Sequence, residues 1–249
     1  MPPFEVLLPL GAIGLYLFDA TLLLYSNELM FVRRAGRWSY AASSALLLAG
    51  RRVYFSNPLA PATPHFRVRW LETDTRQEQE ASAALASFLA ALKPLQFLVA
   101  LLLVILAALP VELAMFGTGV ELLVLMAAFY GVILVALAIV YARRRALCVS
   151  GKAFLALAFD ALACAPFAVN LVRKLCLRRS LAGNPIQFAR QNFDPGSFST
   201  LLRAVSRRVS DEQQREYGQT PRWAELEAYR QQLNSLDPGS LDPGRSRDS

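Results

Sequence analysis

The chain has 249 residues, of which 55% are hydrophobic and only 18% are charged. This balance lies outside the usual composition of soluble globular domains and predicts an integral membrane protein. Lys and Arg outnumber Asp and Glu by 26 to 19, giving a net charge of +7. The basic residues lie in short blocks beside apolar stretches, which is typical of topology signals and of contacts with anionic lipid headgroups, so nucleic acid is not expected as a partner.

Four apolar segments are delimited by the charges that flank them. A helix needs roughly 20 apolar residues to cross about 30 Å of hydrocarbon; three segments meet this condition and the fourth is marginal. We therefore predict an α-helical integral membrane protein with three to four transmembrane helices, the first of them within residues 1–25. The segments span residues 6–25, 94–111, 122–142 and 153–172.

Residues 26–74 predict a small β-rich module inserted between the first and second transmembrane helices. Short runs of strand-forming residues alternate with turn signals, and an antiparallel β-meander is the simplest arrangement. In the last run, residues 65–70, apolar side chains alternate strictly with His and Arg. Because three prolines precede this run, we expect it to pair as an edge strand or not at all.

Residues 75–93 change to a helical period and predict an amphipathic interfacial helix. Thr75 and Glu78 have the spacing of a capping box at its start. The Lys93-Pro94 step is expected to turn the chain into the second transmembrane helix. The interfacial helix is thus predicted to be separate from the span that follows it.

Residues 94–142 predict a transmembrane helical hairpin, because a short link rich in helix-breaking residues joins two apolar segments. The link carries only acidic charges, whereas three arginines follow the second arm, and the positive-inside rule places those arginines in the cytoplasm. By the same rule we expect the N-terminus outside and residues 26–94 in the cytoplasm. The three arginines are Arg143, Arg144 and Arg145.

The basic loop and fourth apolar segment, residues 143–172, decide the side of the C-terminal region. If the segment crosses fully, the four cations that follow it face the outside, against the positive-inside bias. If it re-enters, they stay inside, and Pro166 gives a reason for a break because proline removes a backbone donor. Both alternatives are kept at this stage. The four cations are Arg173, Lys174, Arg178 and Arg179.

Residues 173–235 predict a basic, partly helical polar tail. An amphipathic helix over residues 199–209 places three arginines opposite its apolar stripe. These arginines and the other basic blocks are expected to contact anionic lipid or an acidic partner protein. A second helix should begin at Thr220-Pro221, and residues 236–249 are expected to be disordered. The three arginines are Arg203, Arg207 and Arg208.

Asp19 and Asp160 lie within apolar segments and are the candidate functional residues. An ionisable group inside a membrane costs about 2.5 to 3.5 kcal/mol on insertion scales and is retained only for a reason. One hypothesis is a proton or cation site shared by the first and fourth segments. The other is a structural role, which we prefer because two acids without an intramembrane cation make a poor relay.

No catalytic residue, metal site or cofactor is predicted. The single histidine, His65, excludes an HExxH zinc site and any haem or metal site built from two or more histidines. No GxSxG nucleophile elbow occurs in the sequence. The three cysteines, Cys148, Cys164 and Cys176, form no CxxC pair and are expected to be free thiols.

These features lead to two function hypotheses of different classes. The first is a non-catalytic scaffold or assembly subunit, a multi-pass protein that docks a partner protein or a second copy at the inner surface of a bacterial cytoplasmic membrane. The alternative is a small oligomeric transporter or channel subunit that uses Asp19 and Asp160. A membrane-bound enzyme acting on lipid comes last, because the sequence offers it no recognisable nucleophile or metal site.

Overall fold

A computed structural model describes residues 4–44, 46–70, 78–179, 181, 184–215 and 220–236. The helices are α1 (Phe4–Asp19), α2 (Glu78–Phe116), α3 (Val120–Ala142), α4 (Gly151–Ala163), α5 (Leu171–Leu177), α6 (Pro185–Asn192), α7 (Pro195–Arg215) and α8 (Pro221–Leu236), with a 3₁₀ helix at Ala165–Asn170. The strands are β1 (Thr21–Leu24), β2 (Glu28–Arg34), β3 (Arg37–Ala41), β4 (Leu47–Leu48), β5 (Arg51–Phe55) and β6 (His65–Arg69).

The sequence predicts a helix through the first apolar segment to residue 25, but the segment does not remain helical that far. Helix α1 ends at Asp19, and the next apolar run forms strand β1, which pairs antiparallel with β5 from Thr21 opposite Phe55 to Leu24 opposite Arg52. The pairing gives these backbone groups partners outside the helix. The hydroxyl of Ser56 also donates to the carbonyl of Ala20 at 3.1 Å, which fixes the step between helix and strand.

The strands form two antiparallel sheets of three strands each and not one meander. Their orders are β1-β5-β4 and β3-β2-β6, so consecutive strands β1 and β2 belong to different sheets. Strand β6 pairs with β2 at the edge of the second sheet, which is one of the two outcomes expected for it. The expected polar face of β6 is interrupted, because the ring of His65 is buried.

Helix α2 is continuous over 39 residues, so the predicted turn at Lys93-Pro94 is wrong. Two prolines, Pro94 and Pro110, lie inside it, and each removes one backbone donor. Leu92 and Leu95 are fully buried on either side of the first proline, and this packing holds the two parts in line. Thr75, the first residue of the predicted capping box, lies outside the described residues.

The fourth apolar segment is broken and folds back on itself. Helix α4 ends at Ala163, the 3₁₀ helix follows with Pro166 at its start, and α5 continues the chain. The guanidinium of Arg178 donates to the carbonyl of Ala153 at 3.0 Å, so the end of the segment lies beside its beginning. A straight helix of this length would hold the two ends about 30 Å apart. The backbone therefore follows the path that the re-entrant alternative requires.

Residues 185–236 are not a loose tail. Helices α6, α7 and α8 pack with β2, β3, β6 and the first turns of α2 around one apolar core. The rings of Phe31 and Phe193 lie 4.9 Å apart, and the hydroxyl of Tyr229 donates to the carbonyl of Trp70 at 2.7 Å. The helix start predicted at Thr220-Pro221 is confirmed, with the Thr220 hydroxyl accepting from the Trp223 amide. Residues 237–249, expected to be disordered, lie outside the described residues.

A second apolar core joins α1, the later turns of α2, α3, α4 and the 3₁₀ helix. We call these elements the helical bundle, and the two sheets with α6 to α8 the polar domain. Within the described residues, Ala83–Met115 and Val120–Ala142 are long and apolar enough to cross a membrane. Their most apolar windows are only 22% and 28% buried. Most of this apolar surface therefore has no protein packed against it.

Candidate functional site

Asp19 and Asp160, far apart in sequence, are brought together by one cation. The ammonium of Lys174 lies 3.2 Å from a carboxylate oxygen of Asp19 and 3.8 Å from one of Asp160. The fold-back of the fourth segment causes this, because it places α5 beside α4 at the end of α1. Lys174, expected at the lipid surface, instead lies inside, and its ammonium also sits 4.6 Å from the centre of the Phe167 ring.

Asn170, the last residue of the 3₁₀ helix, connects the carboxylate of Asp19 to the backbone of α1. Its amide nitrogen donates to Asp19 at 2.9 Å and to the carbonyl of Tyr16 at 3.2 Å, and the residue is fully buried. Its amide oxygen accepts from a guanidinium nitrogen of Arg173 at 2.5 Å. Both ends of the amide are thus used, which fixes the side chain between α1 and α5.

Arg173 is the most buried charge of this group, with only 1% of the residue exposed. Among the described residues it has no hydrogen-bond partner for its Nε and Nη1 atoms. The sequence interpretation had placed Arg173 at the lipid or partner surface; its burial excludes that role. The reason is again the fold-back, which packs α5 on β6 and α2 rather than leaving it at the protein surface.

His65 of β6 and Tyr54 of β5 interact electrostatically with this arginine, and their ring centres lie 5.9 Å apart. Burial lowers the pKa of His65 to about 4, against a hydrogen bond to the Thr63 carbonyl that raises it, and the positive charge of Arg173 lowers it further. Burial raises the pKa of Tyr54 to about 12, so the phenol keeps its proton at neutral pH. Both rings are therefore neutral neighbours of Arg173.

We call Asp19, Asp160, Asn170, Arg173 and Lys174 the base cluster. Its two carboxylates and two cations cancel, which removes the main cost of placing either sign beside an apolar bundle. The carboxylates differ in exposure, with 15% of the Asp19 side chain and 48% of the Asp160 side chain accessible. A cation entering this site would compete with a tethered ammonium for both acids. The arrangement is therefore better suited to holding α1, α4 and α5 together than to carrying ions.

The remaining basic candidates divide by exposure. Arg144 and Arg179 are partly buried, each with its guanidinium over an aromatic ring, Tyr141 at 4.9 Å and Phe88 at 4.7 Å. The others remain at the surface, where lipid or a partner can reach them: Arg143, Arg145, Arg178, Arg203 and Arg207.

Arg208 is an exception to its expected place on the outer face of α7. Only 4% of it is exposed. It donates to the carbonyl of Glu28, to the carbonyl of Ser26 at 3.4 Å and to the hydroxyl of Ser43 at 3.0 Å. Burial lowers its pKa. Arg208 therefore ties α7 to the start of β2 and does not lie on the outer face of that helix, which corrects the sequence interpretation.

Sequence reasoning missed the residues that connect the candidates. Asn170 is visible as a polar residue in an apolar run, but Asp19 and Tyr16, to which its amide nitrogen donates, lie about 150 positions away, and no local pattern shows them. The buried Glu28 was also missed; it lies 3.7 Å from Arg67 and 3.9 Å from Arg69. The local signal for this acid was the pair of arginines on one face of β6, Arg67 and Arg69, which calls for an acid on the neighbouring strand.

The described residues contain no group of three or more His, Cys, Asp or Glu side chains placed to hold a metal ion. Comparison with protein-family models, curated proteins and solved structures finds no match to this chain.

Proposed function

We propose that this chain is a non-catalytic integral membrane protein that holds its polar domain at the inner surface of a bacterial cytoplasmic membrane and docks a partner there. The observation that carries the proposal is the exposed apolar surface of α2 and α3. A core helix of a soluble protein is mostly buried, whereas here under a third of each apolar window is covered. Apolar surface on this scale is stable in lipid and not in water.

The lengths of the helices support this arrangement. The 23 residues of α3 extend over about 35 Å, enough for about 30 Å of hydrocarbon with a modest tilt. Lys93 is exposed where α2 leaves the polar domain, so the apolar part of α2 has a similar length. Glu112 and Glu121 lie at the other end of the hairpin, away from the arginines that follow α3. The positive-inside rule then puts the polar domain in the cytoplasm.

The alternative, an oligomeric transporter or channel subunit using Asp19 and Asp160, has weaker support. Both acids already face Lys174, and the cluster is neutral as a whole. Replacing both with Asn separates the two ideas, since a proton or cation path loses its sites while a docking protein that still inserts keeps its function. Vesicles that contain the wild-type protein would then take up ions, and vesicles that contain the double variant would not. This result would favour transport.

Membrane insertion is tested by washing membranes with alkaline carbonate. The chain should stay in the membrane fraction, and its release into the wash would contradict the proposal.

Orientation is tested with a membrane-impermeant maleimide on intact and permeabilised cells. Cys148 is exposed and should react only after permeabilisation, as should an Arg203→Cys variant on α7, while Thr118→Cys in the link between α2 and α3 should react in intact cells. The two introduced cysteines are tested in chains that lack Cys148, so that each chain carries a single exposed cysteine. Cys176 is fully buried and reports packing instead of side. Labelling of Arg203→Cys in intact cells would overturn the assigned orientation.

Partner docking is tested by affinity purification from several mild detergents, with an unrelated multi-pass protein carrying the same tag as the control. We expect one set of proteins to follow this chain and not the control. Recovery of the chain alone under all conditions would contradict docking while leaving the membrane arrangement intact.

A further inference from the structure

A cavity of about 440 Å³ lies between α7 and the two sheets of the polar domain. Its volume falls within the range of small-molecule sites. Three arginines and three serines contribute to its lining, with a single acidic residue. We call it the arginine cavity and define it by Arg52, Arg207, Arg208, Ser43, Ser206 and Asp211.

The charges of the arginine cavity do not balance. Asp211 is paired with Arg52 at 2.9 Å, which leaves two positive charges without an acid in the lining. Arg208 hydrogen-bonds only to neutral oxygens, and within the described residues Arg207 has no ion-pair partner at all. Burial lowers the pKa of Arg208 and the nearby charge of Arg52 lowers it further, while Tyr40 and Asp211 raise it. An anion in the cavity would relieve the repulsion between these cations.

The other lining groups can donate hydrogen bonds. The hydroxyl of Ser43 accepts from Arg208 at 3.0 Å and so keeps its own proton free to donate into the cavity. Ser206, Ser210 and Tyr40, which each carry a hydroxyl group, also line the space. Guanidinium groups joined with hydroxyl donors match the several oxygens and the double negative charge of a phosphomonoester better than they match a single carboxylate.

We propose that the arginine cavity binds a phosphomonoester group, carried by an anionic phospholipid or by a soluble phosphorylated compound. The proposal extends the docking role proposed for the polar domain. It rests on the proposed membrane arrangement only if the phosphomonoester belongs to a lipid. Arg52 pairs with Leu24, three residues or about 10 Å along β1 from its first residue, and β1 follows α1 directly. The cavity is therefore close enough to the end of the apolar helix α1 for a headgroup, and open enough for a soluble ligand.

The test is titration calorimetry on the full chain, purified in a neutral detergent and phosphate-free buffer. The probes are glycerol 3-phosphate and short-chain phosphatidic acid, which share the phosphomonoester and differ in the acyl chains. Saturable binding of either probe supports the proposal. Equal affinities identify a soluble source, and an affinity at least about tenfold higher for phosphatidic acid identifies a lipid source. Binding of neither probe at millimolar concentration overturns it.

Three variants test whether the binding depends on the residues of the arginine cavity. Arg207→Gln removes an exposed cation of the cavity and should weaken binding about tenfold, as expected for a lost charge-assisted hydrogen bond. Arg203→Gln is the matched control, since Arg203 is exposed on the same helix one turn earlier and lies outside the lining. It should leave affinity unchanged. Asp211→Asn removes the acid of the lining and should tighten binding about threefold or more. An equal loss with Arg203→Gln and Arg207→Gln would show attraction to general surface charge and overturn the site.

This experiment and the membrane experiments can fail separately. A chain that stays in carbonate-washed membranes but shows no saturable titration disproves the cavity alone. A chain that the wash releases, and that still binds glycerol 3-phosphate with the expected order of variants, disproves the membrane proposal alone.

Discussion

The base cluster and the arginine cavity both gather cations around acidic side chains, but they differ in balance and in access. In the base cluster two acids face two cations, and Arg173 is sealed from solvent. In the cavity three arginines surround one acid in a space open to water. A charge-balanced group that is largely buried contributes to the fold, whereas an unbalanced group in an open space can bind a charged ligand.

The largest effect is expected from Lys174→Met, which removes the cation shared by Asp19 and Asp160. It leaves the two neighbouring carboxylates with Arg173 as their remaining cation. Breaking a buried ion pair costs about 3 to 5 kcal/mol, and the partial exposure of Lys174 and Asp160 places the expected cost near the lower end of this range. We expect a large fall in Tm in detergent and in the yield of monodisperse protein. Lys152→Met is the matched control, because Lys152 is exposed on α4. If the two variants melt alike, the base cluster does not hold the bundle together.

A smaller effect is expected from pH, through His65. Its pKa is about 4 in the folded chain and 6.5 in an ordinary environment, so the unfolded chain binds more protons between these values. The free energy of unfolding should therefore fall on acidification from pH 6.5 to 4, by about 1.4 kcal/mol per pH unit and about 3 kcal/mol in total. Above pH 6.5 the histidine does not change the free energy of unfolding with pH.

The measurement is Tm against pH for the wild type and for His65→Gln. The variant keeps the response of the carboxylates but lacks that of the histidine, so its curve should be flatter in this window. Parallel curves would mean that His65 is hydrated in the folded state, and the closed character of the region around Arg173 would then be wrong.

The smallest effect separates two adjacent residues of α7. Arg208→Gln loses hydrogen bonds to Ser26, Glu28 and Ser43 and leaves buried carbonyls poorly satisfied, for an expected cost of about 2 kcal/mol. Arg207→Gln changes an exposed side chain and should cost less than about 0.5 kcal/mol. Thermal denaturation of both variants tests this difference. A similar loss in both would place Arg207 in the fold instead of in the cavity.

Features set by local pattern were predictable from the sequence. The apolar stripe of α7, the start of α8 at Thr220-Pro221 and the long apolar run of α3 each depend on residues within a few turns of one another. The strand β1 did not follow from such a pattern, because TLLL is equally suited to a membrane helix and becomes a strand only by pairing with β5, about 30 residues later.

Residues of the candidate site could likewise be identified from the sequence only where a local pattern marks them. Asp19 and Asp160 are conspicuous as single charges in apolar segments, and in the structure both lie beside Lys174. Lys174 as that partner could not be found without the fold-back, since a straight fourth helix would place it at the opposite surface. The burial of Arg173 and Arg208 depends on tertiary packing, which a count of basic residues along a helix does not show.

The continuity of α2 has a mechanical consequence. One helix of 39 residues, about 58 Å long, belongs to the core of the polar domain at its first turns and to the apolar bundle at its last. Helices in bilayers adjust to hydrocarbon thickness by tilting, and a tilt of about 10° around the middle of this helix moves each end by about 5 Å. In the membrane arrangement proposed above, this helix would act as a lever, and a change in bilayer thickness would be transmitted as strain to the packing around Phe88 and Trp70.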